Sequence, residues 1–429
     1  MLSDGIQFIL NMAFIWAPIV LIIIVWRVWL WYVNETYLRN QKWTILEIRI
    51  PKDVFKSPAA MELMFTNALY QTGGFGDWAS KYFNGKYPAY HSLEIVSIGG
   101  AIYFFIRVQS KFKSMVESQI YAGYPQAEVN EVPDYMNDIP SYTSGEIELW
   151  GMEFCFEKNN AYPIKTYVDY GLDQTLVKEE QKIDPITQTI EYMANLGKDE
   201  YMMIQICIRP SNWELFEIEE EIEDKETKEK KKIKKIVKWS DAAKNEITKY
   251  RKGFSKEGAL PMSKVEGDVL TAMQRALQKF SFDTGIRALY ISKKGSFDAN
   301  KIAVVGSLLR QYNTMELNGF KGTNAIGFTH GFEDLDGKKT VEQKDSLLED
   351  YRDRHFFHSR FPFSFKAKHL KYWLGYHPGY FVPPSDKKLM VMNTEELATI
   401  FHFPGRVSET PSFKRLESKK SEAPINLPI

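Results

Sequence analysis

Two histidines three residues apart, His355 and His358, are the nearest thing in this chain to a metal-ligating pattern, with Asp350, Asp353 and His369 close by in sequence. Imidazoles at that spacing can share a helix face and bind zinc if a carboxylate completes the set. Phe356 and Phe357 lie between them, where an HExxH metalloprotease carries its glutamate. The pair therefore reads as aromatic-rich packing with solvent-facing histidines, and a membrane-tethered metal enzyme is the lesser alternative. Cys155 and Cys207 stand singly in apolar runs, where a free thiol behaves as a small hydrophobe. Gly73–Gly74–Phe75–Gly76 has no lysine at the spacing that a phosphate-cradling P-loop requires, and no strong strand precedes it. With no Ser-His-Asp signature and no carboxylate dyad, the residues predict a non-enzymatic protein that calls for no cofactor and no metal. The remaining candidate is a basic run, Lys230, Lys231, Lys232, Lys234 and Lys235, which follows the acidic run Glu219–Glu223. Folded at 224–227, the two arms face each other and neutralise. The alternative is that these lysines contact a partner or nucleic acid.

The elements that must position these residues follow from periodicity. Thr44–Pro51 alternates as a strand, and Ser57–Pro58 caps a helix over Ala60–Tyr70. Ser92–Ile98 and Ala101–Val108 flank a Gly99–Gly100 hairpin turn. A helix over Lys111–Tyr124 and a strand over Ala127–Val132 complete a βαββαβ order, the ferredoxin-like split arrangement. A second copy is expected over 146–313: strand Glu146–Phe156, helix Pro185–Leu196, strand Tyr201–Pro210, strand Thr284–Lys293 and helix Ala299–Tyr312. Its middle strands are separated by an insertion, 211–282, whose hairpin arms are bracketed by Trp213 and Trp239 and whose remainder is helical. The rest, 314–429, reads as an irregular segment with a strand at Lys388–Met392, a helix at Thr394–His402 and an exposed tail over Ser418–Ile429. The predicted class is α+β: an N-terminal transmembrane helix within 1–33, tandem ferredoxin-like units over 43–135 and 146–313, then the irregular segment.

The membrane expectation rests on Ile6–Trp26, which is apolar except for Gln7 and Asn11. About twenty such residues cross a hydrocarbon core as a helix. Trp26, Trp29, Trp31 and Tyr32 then form an aromatic collar at headgroup level, with Arg27 able to snorkel to phosphate. A cleaved signal peptide would need a basic start and a small-residue cleavage site, and only Asp4 precedes the run. Arg27, Arg39, Lys42, Arg49, Lys52 and Lys56 all follow it, which by the positive-inside rule predicts a single-pass cell-membrane protein, N-terminus outside and body cytoplasmic. Lys and Arg total 55 against 55 Asp and Glu, so no global field draws the body to nucleic acid or anionic lipid.

Two stretches carry a family resemblance. LEIVSIGGAIYFFIRVQSKFKSMVESQIYAGYPQAEVNEVPDY (Leu93–Tyr135) resembles the region preceding the motor domain in HerA/FtsK-related ATPases of type IV secretion and conjugative transfer. MNTEELATIFHFPGRVSETPSFKRLESKKSEAPINLP (Met392–Pro428) is similar to the same proteins' bridge into the motor. Where those proteins continue to a Walker A strand and helix, this sequence ends at Ile429. The resemblance implies the membrane-anchoring and assembly half of a transfer machine, docking a separate P-loop translocase ATPase; the ferredoxin-like units would offer sheet edges and helix faces for a homo-oligomer, and nucleic-acid contact would be indirect.

Overall fold

A computed structural model of the chain describes residues 12–51, 56–70, 77–86, 88–174, 183–211, 215–223, 230–254, 261–327, 337–357 and 389–404, with backbone alone over 215–236. Helix α1 (Ala13–Arg39) has 27 residues, about 40 Å at 1.5 Å per residue, and is long and apolar enough to cross a membrane. Pro18 lies inside it. Phe14, Ile15, Ile19, Leu21, Ile22 and Val25 are exposed, whereas Arg27, Leu30, Val33 and Asn34 are buried at helical spacing along one stripe. The helix thus changes character near Trp26: an uncovered apolar half, then a half packed on the body. It also runs six residues beyond the expected 1–33 anchor, because that stripe has protein to bury against.

The first βαββαβ unit comprises β1 (Trp43–Arg49), α2 (Ala59–Met64, extended by a π turn, Phe65–Leu69), a short α3 (Trp78–Tyr82), β2 (His91–Ile98), β3 (Ala101–Gln109), α4 (Lys113–Gly123) and β4 (Glu128–Val132). Gly99 and Gly100 take φ of 57° and 85°, the pair of positive angles that a two-residue hairpin turn requires. The second unit comprises β5 (Ile147–Phe156), α5 (Pro185–Ala194), β6 (Glu200–Pro210), β9 (Ser281–Lys293), α8 (Asn300–Ser307) and β10 (Phe320–Thr323). Asp184 caps α5 by accepting from the Ile186 amide at 3.1 Å, with Pro185 in the first turn.

The strand order is β10-β5-β9-β6-β2-β3-β1-β4. In each unit the fourth strand lies beside the first, then the third, then the second. The two units meet edge to edge, since β2 and β6 pair antiparallel from His91↔Ile208 to Ile98↔Tyr201. One sheet results, and its apolar core runs from Ile45 to Phe403 through both units. Edge strands invite further pairing; here the β2 and β6 edges close each other, and β10 and β4 end the sheet.

Three findings depart from the sequence expectations. Phe320–Thr323, assigned to the irregular segment, is the second unit's fourth strand and pairs with β5 from Phe320↔Phe156 to Thr323↔Glu153. At four residues including Gly322 it is too short to show alternation. Next, Lys338–Arg352 forms a helix, α9, with Leu347, Leu348 and Tyr351 buried. Finally, β11 (Met390–Asn393) pairs with the start of β9, and α10 (Thr394–Ile400) after it is buried along its whole length. The C-terminal part described is therefore core. The insertion matches its expected form: β7 (Leu215–Glu223) and β8 (Lys230–Lys238) make a separate hairpin with Glu219↔Lys234, Glu221↔Lys232 and Glu223↔Lys230 in register. Helices α6 (Trp239–Gly253) and α7 (Lys264–Leu277) follow, the latter opened by a Ser263/Glu266 capping box.

Candidate functional site

Each central strand carries a polar residue in an apolar run: Glu94 in LEIVSI, Gln205 in MMIQICI, Arg287 in GIRALYI and Glu153 in GMEFCF. The pairing register sets them side by side. Phe105 faces Glu94, Glu94 faces Gln205, Gln205 faces Arg287, and Arg287 faces Glu153. One row thus crosses five strands on one face of the sheet, and its four polar members are at most 1% exposed. The next row, pointing to the opposite face, reads Ile106, Leu93, Ile206, Ile286 and Phe154.

The polar row is closed by α9 and the turn after it. The Arg354 guanidinium donates from Nε to Glu94 Oε1 at 2.9 Å and from Nη2 to Asp134 Oδ1 at 2.9 Å. Tyr135 donates its hydroxyl to Glu94 Oε2 at 2.6 Å and lies 2.9 Å from the Tyr351 hydroxyl. Gln205 donates to the Tyr351 carbonyl at 3.0 Å and accepts from Arg287 at 3.1 Å, while Arg287 also donates to the His355 carbonyl at 2.8 Å. Asn324 donates to Glu153 at 3.1 Å. The guanidinium of Arg287 sits 4.1 Å above the Phe357 ring, and Phe357 packs where a Cβ on Gly285 would lie 2.0 Å from it. Arg354 and Phe357 hold φ of 52° and 32°, left-handed values that cost a non-glycine residue about 1–3 kcal/mol unless its surroundings impose them. Arg354's two carboxylate partners supply that constraint.

Burial alone would raise the Glu94 carboxyl, but the charge and hydrogen bonds of Arg354, with Ser92 and Tyr135, bring it below the usual carboxylate range. Desolvation, then the Glu94 charge, pushes the Tyr135 hydroxyl well up. Burial pushes the Cys207 thiol up to about 12. A thiol held that far from its reactive form is inert. Glu94, Gln205 and Arg287 are tied to one another and to the segment after α9, although Arg287 Nε is buried without a hydrogen-bond partner among the described residues and its guanidinium stands 3.9 Å from Glu153.

The lid reaches the apolar helix. Phe356, Phe357, Tyr90 and Cys207 form a cluster against which Tyr37, Leu38 and Trp43 pack. Upstream, Trp26 stacks on Tyr82 with ring centroids 5.8 Å apart, and the Trp29 indole donates to the Tyr82 carbonyl at 3.1 Å. Gly85, at φ 63°, passes so close to α1 that a Cβ there would lie 2.1 Å from the Val33 carbonyl oxygen. Only glycine fits that crossing.

Of the expected collar, Trp26 and Trp29 contact the body, Trp31 is half-buried and Tyr32 is exposed. Arg27 is only 8% exposed, packed within the protein where the sequence suggested a side chain free to reach lipid phosphate. At that level the 77–86 segment folds back along the helix, with Tyr82 against Trp26 and Trp29. Lys230, Lys231, Lys232, Lys234 and Lys235 lie on β8, whose register sets Lys230, Lys232 and Lys234 across from glutamates. His355 Nδ1 is 3.8 Å from Asp350 Oδ1, while His358, His369, the 73–76 glycines and the 418–429 tail lie outside the described residues. Among the described residues no group of three or more His, Cys, Asp or Glu side chains could hold a metal ion. The sequence reading missed the polar row, although its signal, one polar residue centred in each of four apolar strands, was present.

The fold and site define an α+β protein with a candidate membrane helix, a double βαββαβ sheet and a buried polar row. A family model, described as a domain of unknown function (DUF8128), matches residues 34–415, so the chain belongs to that family. No curated protein matches the sequence.

Proposed function

We propose that this protein is a non-enzymatic, membrane-anchored scaffold of a type IV secretion or conjugation-like apparatus, docking or assembling a separate P-loop translocase ATPase at the cytoplasmic face. The observation that carries the anchoring half is α1, whose uncovered apolar residues from Phe14 to Val25 lead straight into a docked half. In this reading the helix spans once with its N-terminus outside, in keeping with the basic residues that follow it. A helix held by a stacked Trp26–Tyr82 pair and a glycine crossing transmits orientation to the body, as a platform requires. The assembly half is supported by the resemblance of Leu93–Tyr135 and Met392–Pro428 to pre-motor segments. Polar side chains tied to the segment after α9 inside the sheet suit a scaffold, which needs a fixed register. The test is affinity purification of the full chain from native membranes in mild detergent, followed by mass spectrometry and electron microscopy. Recovery of a P-loop ATPase in a ring bound to the chain supports the proposal. A chain that leaves the membrane fraction with alkaline carbonate, or that yields no ATPase, overturns it.

A further inference from the structure

Helix α3 and the residue after it present aromatic surface to solvent. Trp78 is 65% exposed and Phe83 51% exposed, yet they pack on each other and on Tyr82, with centroids 5.3 Å apart for Trp78–Phe83 and 5.6 Å for Trp78–Tyr82. Exposed aromatics of this size, clustered, mark an interaction surface. Their position says which one. Tyr82 is the residue that stacks on Trp26 and accepts from Trp29, at the level where α1 passes from uncovered apolar to packed. Trp29 and Tyr32, on the same stretch of α1, are themselves exposed. An interfacial belt of Trp and Tyr sits at headgroup depth, so a second aromatic cluster stacked on that belt is at the same depth. The conformation is built in: Asp77 caps the short helix by accepting from the Ser80 amide at 3.3 Å, and Gly85 locks the returning chain against α1.

We propose that Trp78 and Phe83 form a second membrane contact, inserting into the lipid headgroup region beside α1 and fixing the tilt of the body against the bilayer. The occupant is lipid because the surface is continuous with the span, and this inference rests on α1 being a membrane helix. Lys86, three residues beyond Phe83, also fits. A cation at that place in the chain is what an anionic headgroup would favour.

The test uses the full chain in vesicles of phosphatidylcholine and phosphatidylglycerol, with a nitroxide placed by Phe83→Cys or Trp78→Cys. The two natural cysteines are buried and stay unlabelled. Leu21→Cys reports the span, and Met315→Cys, at 92% exposed, reports open solvent. Collisional access to oxygen against an aqueous nickel chelate gives depth. The expected result is that the labels at 83 and 78 fall between those at 21 and 315, with nickel access reduced several-fold from position 315. Labels at 83 and 78 that match position 315, while position 21 reports the hydrocarbon core, overturn the second contact alone. A label at 21 that is itself aqueous overturns the membrane reading and this inference with it.

Discussion

The two faces of the central sheet share the same strands and are both buried, but they are built from opposite chemistry. One is apolar from Ile106 to Phe154 and is held by burial, at about 25 cal/mol per Å² of apolar surface. The other carries Glu94, Gln205, Arg287 and Glu153 in a single row, closed by Arg354 from the lid. The apolar face would accept several packings of similar size. The polar face accepts one, because a one-residue slip of β2, β6, β9 or β5 turns its polar residue into the apolar layer. In β2 and β6, the strands that join the two units, the row gives the seam between two similar sheets a unique register.

The largest test of this contrast is Arg354→Ala, which leaves the buried Glu94 carboxylate and the half-buried Asp134 carboxylate without their cation. A loss of about 3–5 kcal/mol is expected in urea unfolding. The double change Glu94→Leu with Arg354→Leu should recover most of it, since a buried ion pair replaced by apolar residues is often neutral. A double variant no better than the single would mean that the row supplies stability as well as register.

Two buried glutamates give the next test, because their carboxyls shift in opposite directions. Glu94, paired with Arg354, lies below the usual range. Its contribution is present above the unfolded-state value and is lost as pH falls through the folded one. Glu396, on α10 over the apolar face, is raised from 4.5 to about 8, first by burial and against the hydrogen bonds it accepts from the Asn393 and Ile164 amides. Its contribution is present below about 4.5 and is lost as pH rises towards about 8. Each can tilt stability by at most about 1.4 kcal/mol per pH unit. Glu396→Gln should flatten the decline between those values and leave the acid limb unchanged, read from melting temperature against pH. The smallest effect is expected from Ile206→Val on the apolar row, about 0.5–1.5 kcal/mol by equilibrium unfolding. A larger loss there than at Arg354 would reverse the comparison.

Apart from the short α3, the strands and helices of both units were legible because their apolar residues repeat at the right period and their turns carry Gly99–Gly100 and Asp184–Pro185. β10 was not, at four residues around Gly322, and β11 was read without its partner, since β9 lies more than a hundred residues upstream. Arg27 was read as able to snorkel to lipid phosphate because nothing nearby in sequence announces that 77–86 returns to α1 at the level of Trp26 and Trp29.

Local order sufficed for the apolar helix α1, the two βαββαβ plans, the charge-matched hairpin and the polar residue in the middle of each central strand. These are properties of neighbouring residues, set by period, capping and turn chemistry. Tertiary structure alone decided that β2 and β6 zip the units into one sheet, that four scattered polar residues share a row, and that Arg354 completes it from 260 positions beyond Glu94. Those outcomes depend on strand register and long-range closure, which no local pattern of side chains encodes.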